Sequence, residues 1–300
     1  MNVETIPYIG EIMAVSTAII WAFSVIMFKK SGETVHPIGL NLFKNFIAVI
    51  LLVPTLWIIN ESIIKDIPSK DYLYIFLSGA LGIGIADTFF FLCLNRLGAG
   101  LTAIVDCLYS PFVIGFSFLM LGEVLSILQF FGVLLIISAV LTATYQGNGK
   151  ETTKRDKIIG VLFGVCAMLL TGFGVVLVKP VLENQPLLWV TEMRLFSGLL
   201  ILLIVLLFRP NRKKIVGSIY KNGLRMSTLF GSILGAYFAM ILWLGGMKYT
   251  LASTAAALNQ TSNIFIFIFA FLILKEKITV KSVIGIVLAV AGAFMVTFGA

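Results

Sequence analysis

Charged side chains are scarce in this chain of 300 residues: they make up 12% of it, against 59% hydrophobic residues. A soluble domain carries about a quarter charged residues, so this chain has too little polar surface to cover a water-soluble core. The scarcity excludes soluble enzymes and disordered proteins. It predicts a multi-pass protein of the cell membrane, in contact with the lipid bilayer.

Histidine and cysteine are nearly missing as well, with one histidine and three cysteines and no CxxC spacing. This composition predicts no metal site, no disulfide and no cofactor. The GxxxxGK[ST], HExxH and GxSxG patterns are also absent, so ATP-driven transport would need a partner chain and a membrane-embedded enzyme is disfavoured. No basic residue precedes the first apolar run, which is therefore read as a retained span rather than a cleaved signal peptide.

What the chain has is long apolar runs. About 20 apolar residues cross a bilayer as a helix, and ten segments approach or exceed that length. The predicted fold class is therefore an all-α integral membrane protein with ten transmembrane helices. We divide it into a first half, residues 1–145, a polar linker, residues 146–157, and a second half, residues 158–300. The predicted spans are 8–28, 38–59, 72–95, 100–120, 124–145, 158–178, 187–208, 227–247, 251–273 and 280–298.

The last span of each half shows an internal repeat. Residues 121–145 match residues 274–298 at an offset of 153, with five identities in 25 positions. Each half holds five predicted spans, and an odd number inserts the second copy upside down. Inverted repeats around a central cavity are common in secondary transporters.

Lysine and arginine are unevenly divided between the loops. Loops after odd-numbered spans hold sixteen of them and loops after even-numbered spans hold four. We call the first side the basic face; the bias predicts that it is cytoplasmic and that both termini are outside. The net charge of +8 has the same explanation, so no nucleic-acid partner is expected.

Short motifs resemble the EamA group of the drug/metabolite transporter superfamily. The resemblance implies a ten-helix bundle with a central cavity, and secondary transport, often export, of small metabolites. It also implies termini inside, opposite to the charge bias, and both orientations stay open here. The matching residues are Trp21 in the first span, Pro37 followed by Lys44, Pro186 followed by Arg194, and the Leu121-Gly122-Glu123 turn.

Three ionisable residues share one depth in the predicted bundle. At about 1.5 Å per residue, Lys44, Asp87 and Asp106 lie roughly 9–12 Å from the basic face. Charges at this depth are costly and need a reason. The cation can neutralise one carboxylate, and the other would then be able to take up a proton, as proton coupling requires. The alternative is a structural ion pair that locks helices together.

The 153-residue offset adds a set of polar positions. It places Asp106 on Asn259, Cys107 on Gln260 and Ser110 on Asn263, so spans 4 and 9 carry matching polar faces. Pro111 frees the carbonyl of Cys107. These faces are predicted to line the cavity, with an interhelical hydrogen-bond network as the alternative.

Arg194 is interpreted as the inverted counterpart of Lys44. It could hold a substrate carboxylate or phosphate bidentately, or anchor to backbone carbonyls. The full candidate site for substrate and coupling ion is Lys44, Asp87, Asp106, Tyr109, Ser110, Arg194, Asn259, Gln260 and Asn263.

Glu123 and Glu276 stand at hairpin ends, where each is expected to cap the N-terminus of the helix that follows it.

The predicted function is secondary active transport of small polar metabolites such as amino acids. We expect export by alternating access, with protons as the possible coupling ion, in a monomer or homodimer. The alternative is a non-transporting membrane scaffold or a lipid-carrier translocator.

Overall fold

The structure, a computed structural model, describes residues 6–124, 126–144, 154–277 and 279–298, and these residues are helical apart from turns and short connections. Residues 146–153 of the predicted linker lie outside the described residues, and α8 begins at Lys154. In chain order the α-helices are α1 Ile9–Ser31, α2 Pro37–Ile58, α3 Ser69–Gly79, α4 Ala86–Leu97, α5 Ala99–Asp106, α6 Tyr109–Leu121, α7 Ile127–Thr144, α8 Lys154–Asn184, α9 Leu187–Leu207, α10 Arg212–Asn222, α11 Met226–Ser232, α12 Ala239–Tyr249, α13 Ala252–Asn259, α14 Ser262–Leu272 and α15 Val280–Phe298.

Within the described residues, eight helical segments are long and apolar enough to cross a membrane. They are α1, α2, α8, α9 and four composite segments, α3 with α4, α5 with α6, α11 with α12, and α13 with α14. Helices α7 and α15 occupy the predicted fifth and tenth spans and pack against each other. Their apolar stretches, Ile127–Ala139 and Val280–Gly292, are shorter than a membrane-crossing helix, so ten crossings stay a prediction.

Two π-helical turns occur at equivalent positions of the two halves. One joins α3 to α4 over Ala80–Ile85, and the other joins α11 to α12 over Ile233–Phe238. Both ends of the second turn lie 153 residues after those of the first, which is the offset seen in the sequence. Single π-turns inside α-helices frequently mark functional sites.

Two helix breaks follow the same offset. Span 4 breaks between α5 and α6 at Cys107, and span 9 breaks between α13 and α14 at Gln260. The first break lies where Pro111 has no N–H to bond the Cys107 carbonyl. The second has Ile264 instead of proline; there the Thr261 hydroxyl donates to the Leu258 carbonyl at 2.8 Å. The halves therefore share their irregularities although their sequences differ.

Close helix contacts hold the bundle around these breaks. Helix α1 packs against α12 and α14, and α8 packs against α4 and α6. Gly79 touches α9 so closely that a β-carbon there would overlap the backbone carbonyl oxygen of Arg194. This contact fixes the height at which Arg194 stands beside the first π-turn.

Candidate functional site

A cavity of about 80 Å³ lies between the two halves. Water needs about 10–15 Å³ on this measure of volume, so the space suits a few waters or a small molecule. Its walls come from the first, third, fourth, sixth, eighth and ninth predicted spans. The lining residues are Thr17, Trp21, Gly82, Ile83, Asp87, Phe90, Asp106, Tyr109, Met168, Thr171, Gly235, Ala239, Met240, Trp243 and Asn259.

Much of the lining consists of pairs related by the 153-residue offset. Each member of a pair lines the same cavity from its own half. The cavity therefore lies at the interface between the two halves, which we call the seam of the repeat. The pairs are Gly82 with Gly235, Asp87 with Met240, Phe90 with Trp243, and Asp106 with Asn259.

Lys44 and Asp87 form an ion pair at the edge of this cavity. Lys44 Nζ lies 2.7 Å from Asp87 Oδ2, and the lysine also donates to Asn45 Oδ1 at 3.2 Å. The lysine is 1% exposed, whereas the aspartate side chain retains 17% exposure toward the cavity. The pair therefore locks α2 to α4 while it presents a carboxylate to whatever enters.

Asp106 lines the cavity without an ion pair among the described residues. Its carboxylate interacts with the side chain of Asn263, and its backbone carbonyl accepts a hydrogen bond from Gln260 Nε2 at 3.3 Å. The two carboxylates predicted to share a layer thus have different surroundings. One is neutralised by a lysine and the other has an amide as its neighbour.

Aromatic side chains form a second part of the wall. Trp243 Nε1 donates to Tyr109 Oη at 3.1 Å, which joins spans 4 and 8 across the seam. The guanidinium carbon of Arg194 stands 5.3 Å from the centre of a Trp243 ring. Arg194 is fully buried and does not itself line the cavity.

Three predicted site residues lie behind the wall. Ser110, Gln260 and Asn263 are buried in the contact between the two helix breaks. Asn263 donates to Gln260 Oε1 and to Cys107 Sγ, the latter at 3.3 Å. Span 9 breaks after Asn259, and that residue lines the cavity. Asn263 instead belongs to an interhelical hydrogen-bond network, which was the alternative prediction for these polar positions.

The glutamates at the hairpin ends cap helices of the opposite half, so the expectation that each caps the following helix is wrong. Glu276 Oε1 and Oε2 accept from the N–H groups of Ala99 and Gly100 at 2.8 and 2.9 Å. Glu123 Oε1 accepts from the N–H of Ala252 at 3.3 Å. The reason is packing: α5 lies against α14, and α13 lies against α6, so each hairpin end meets a helix start from the other half.

Sequence reasoning missed several lining residues, among them Thr17, Gly82 and Gly235. The offset carried a usable signal, because adding 153 to Gly82 and Phe90 gives Gly235 and Trp243. Thr17, Met168 and Thr171 had no such signal, since a threonine or methionine in an apolar span is ordinary.

The sequence profile of the EamA-like transporter family matches this chain twice, over residues 8–145 and 158–298. An uncharacterized transporter of Archaeoglobus fulgidus is 22% identical over 277 residues, covering 92% of this chain and 93% of that protein. An uncharacterized transporter of Clostridium kluyveri is 24% identical over 302 residues, covering 95% and 92%. One crystal structure shares the fold, with a TM-score of 0.70 at 16% identity, covering 96% of this chain and 97% of its own.

Proposed function

We propose, since this chain belongs to the EamA-like transporter family and is a multi-pass membrane protein, that it exports a small polar metabolite through the central cavity. Amino acids are the leading class, and protons are the coupling ion. The observation that carries the proposal is the pair of unlike carboxylates in one small cavity on the repeat seam. In inverted-repeat transporters, substrate and coupling-ion sites lie near the bilayer midplane at the repeat interface.

Proton coupling is assigned to Asp106 rather than to Asp87. Asp87 is bonded to Lys44 at 2.7 Å, so protonating it would break an ion pair. Asp106 has no cation partner in the part of the chain that the structure describes. A buried carboxylate without a cation is stabilised by protonation when water leaves its surroundings, and it can release that proton when the cavity opens.

Alternating access is supported by the exchanged caps. Each glutamate ties the hairpin end of one half to the start of a helix in the other half, Glu276 on the basic face and Glu123 on the opposite face. Releasing one cap frees one mouth of the cavity without disturbing the other. Ten crossings in two inverted halves, rocking about the seam, would place the caps at the two mouths.

The experiment is transport in proteoliposomes that contain the purified chain, with radiolabelled amino acids as the first panel. An imposed pH gradient should drive accumulation, and Asp106→Asn should abolish that response while exchange without a gradient persists. Asp66→Asn, which removes an exposed loop carboxylate, is the matched control and should behave as the wild type.

Flux that ignores the pH gradient in the wild type would refute proton coupling. Absence of flux for polar solutes, together with movement of a labelled lipid carrier, would favour the translocator alternative instead.

A further inference from the structure

We propose that Arg194 recognises an anionic group, a carboxylate in the first instance, on the transported molecule. The inference rests on the proposed transport function and adds to it the chemical class of the substrate. It starts from an unusual observation: a fully buried arginine whose guanidinium nitrogens have no hydrogen-bond partner among the described residues.

The guanidinium stands directly behind the cavity wall. Its carbon lies 5.3 Å from a ring centre of Trp243, which lines the cavity. Its Nη2 lies 3.6 Å from the position that a β-carbon would occupy on Gly82, another lining residue. Because Gly82 has no side chain, only a thin part of the wall separates Nη2 from the space where a ligand would sit.

The repeat explains why this cation is unpaired. In the first half Lys44 stands beside Asp87 and binds it. In the second half Arg194 stands in α9 where Lys44 stands in α2, seven residues after the first residue of the helix. The position that matches Asp87 at the 153-residue offset is Met240. Asp87 acts on Arg194 only as a charge at longer range, because its carboxylate is bonded to Lys44. The second half therefore keeps the cation and has no carboxylate at the position that matches Asp87.

A carboxylate on an incoming substrate would pair with Arg194 and take the place of the carboxylate that the second half lacks there. A buried charge without a partner is strongly unfavourable, and a guanidinium offers donors in a planar fork that matches a carboxylate. A Trp243 ring centre lies 5.3 Å from the guanidinium carbon, and the indole N–H donates to Tyr109 Oη. Anchorage of Arg194 to backbone carbonyls would satisfy the same nitrogens, but no such bond is present in the described residues.

The cavity also limits the size of the molecule. On the measure by which one water needs about 10–15 Å³, about 80 Å³ is space for several water molecules, so a solute of a few heavy atoms fits. Asp106 lines the same cavity and would repel a dianion while it is charged. The geometry thus favours a small monoanion, or a zwitterion whose ammonium group is placed toward Asp106.

The test measures thermal unfolding of the purified full-length chain in detergent with four probes of similar size: propionate, L-alanine, propylamine and inorganic phosphate. Propionate and L-alanine should stabilise the wild type, and propylamine should not. Phosphate acting more strongly than propionate would overturn the carboxylate assignment. Arg194→Met should weaken propionate binding about 10- to 100-fold, the range typical of a lost charge-assisted hydrogen-bond pair.

Two further variants keep the proposal falsifiable if Arg194→Met does not fold. Met240→Asp restores the carboxylate that the first half has, so it should raise the unfolding temperature and remove the response to propionate. Gly82→Ala places a methyl group in ordinary contact with Nη2 and should weaken propionate binding without removing a charge. Gly115→Ala, where an added β-carbon would meet nothing within 4 Å, is its control.

The inference fails if Met240→Asp still responds to propionate as the wild type does. It also fails if proteoliposomes transport propylamine and L-alaninamide but no carboxylate, an outcome that leaves the transport function standing. Absence of transport for every probe would count against the transport function itself, while propionate binding in detergent would still support the assignment of Arg194.

Discussion

Neutralising Glu276 should open the basic face of the transporter, and neutralising Glu123 should have a smaller effect at the opposite face. The two caps occupy equivalent positions, since 153 added to Ala99 gives Ala252 and added to Glu123 gives Glu276. They differ in strength, however. Among the described residues, Glu276 accepts two hydrogen bonds at 2.8 and 2.9 Å, whereas Glu123 accepts one at 3.3 Å and its buried Oε2 has no partner there.

The residue before each capped helix gives the physical reason for this difference. Gly98 has a φ of +82°, and a β-carbon there would stand 2.8 Å from Glu276 Oε1. The equivalent residue in the second half is Leu251, with a φ of −59°. A leucine rarely adopts a positive φ, so the backbone enters the second capped helix differently from the first.

The magnitude follows from the bonds that differ. A hydrogen bond to a charged group contributes about 1.5–3 kcal/mol, so one additional bond favours closure of the basic face by about that amount. At 1.4 kcal/mol per factor of ten, this energy raises the ratio of molecules closed at the basic face to molecules open there by about 10- to 150-fold. Glu276→Gln, which exchanges one accepting oxygen for a donor, should remove most of this bias, whereas Glu123→Gln should shift the ratio only a few-fold.

Amide hydrogen exchange reads the caps directly, because the first N–H groups of a helix have no partner within the helix. In the wild type the amides of Ala99 and Gly100 should exchange about 10- to 150-fold more slowly than that of Ala252, following the same energies. Glu276→Gln should remove the protection at Ala99 and Gly100 and leave Ala252 unchanged.

Measuring the access of a reagent to the cavity shows whether Glu276 gates the cavity or only caps a helix. A cysteine at Asn259, in a chain whose three native cysteines are alanine, should react faster with an impermeant maleimide applied at the basic face when Glu276 is glutamine. If exchange at Ala99 rises but labelling stays the same, Glu276 stabilises the helix and does not gate. Equal protection of Ala99 and Ala252 in the wild type would refute the asymmetry.

Two further outcomes concern stability. Burial and nearby basic side chains lower the pKa of His36 below 6.5, and its Nδ1 accepts a hydrogen bond from the N–H of Ile38. The stability that neutral His36 contributes is complete above pH 6.5 and is lost as the pH falls toward the lowered pKa. His36→Asn should therefore make the unfolding temperature less dependent on pH across that acidic range. Gly79→Ala, which would overlap the Arg194 carbonyl, should cost about 1–3 kcal/mol in denaturant unfolding, whereas Gly115→Ala should be nearly neutral.

Apolar length was enough to predict the eight long helical segments, because a crossing helix needs little beyond about 20 apolar residues. Helix rise alone predicted that Lys44 and Asp87 lie at the same depth, and the two side chains form an ion pair. The exchanged caps of Glu123 and Glu276 could not be predicted in this way. Sequence distance favours the nearest helix start, and the packing of α5 on α14 decides otherwise.

The same limit explains how Arg194 was interpreted from sequence. Its position in span 7 gave its depth but not its neighbours, so both a substrate ligand and a backbone anchor stayed open. Only the helix packing shows that its nitrogens meet no carbonyl among the described residues and that Trp243 covers one side.

A symmetric scaffold with asymmetric charges has a consequence for transport. If both halves had a cation and a carboxylate at equivalent positions, each cation would be paired within the protein and none would need a substrate. Under the proposed mechanism, Met240 in place of a second carboxylate leaves Arg194 to be neutralised by the substrate, and Asp106, matched by the uncharged Asn259, exchanges the coupling proton. The two halves have equivalent helix breaks and caps, and in this proposal the residues Met240 and Asn259 set the preference for what is transported.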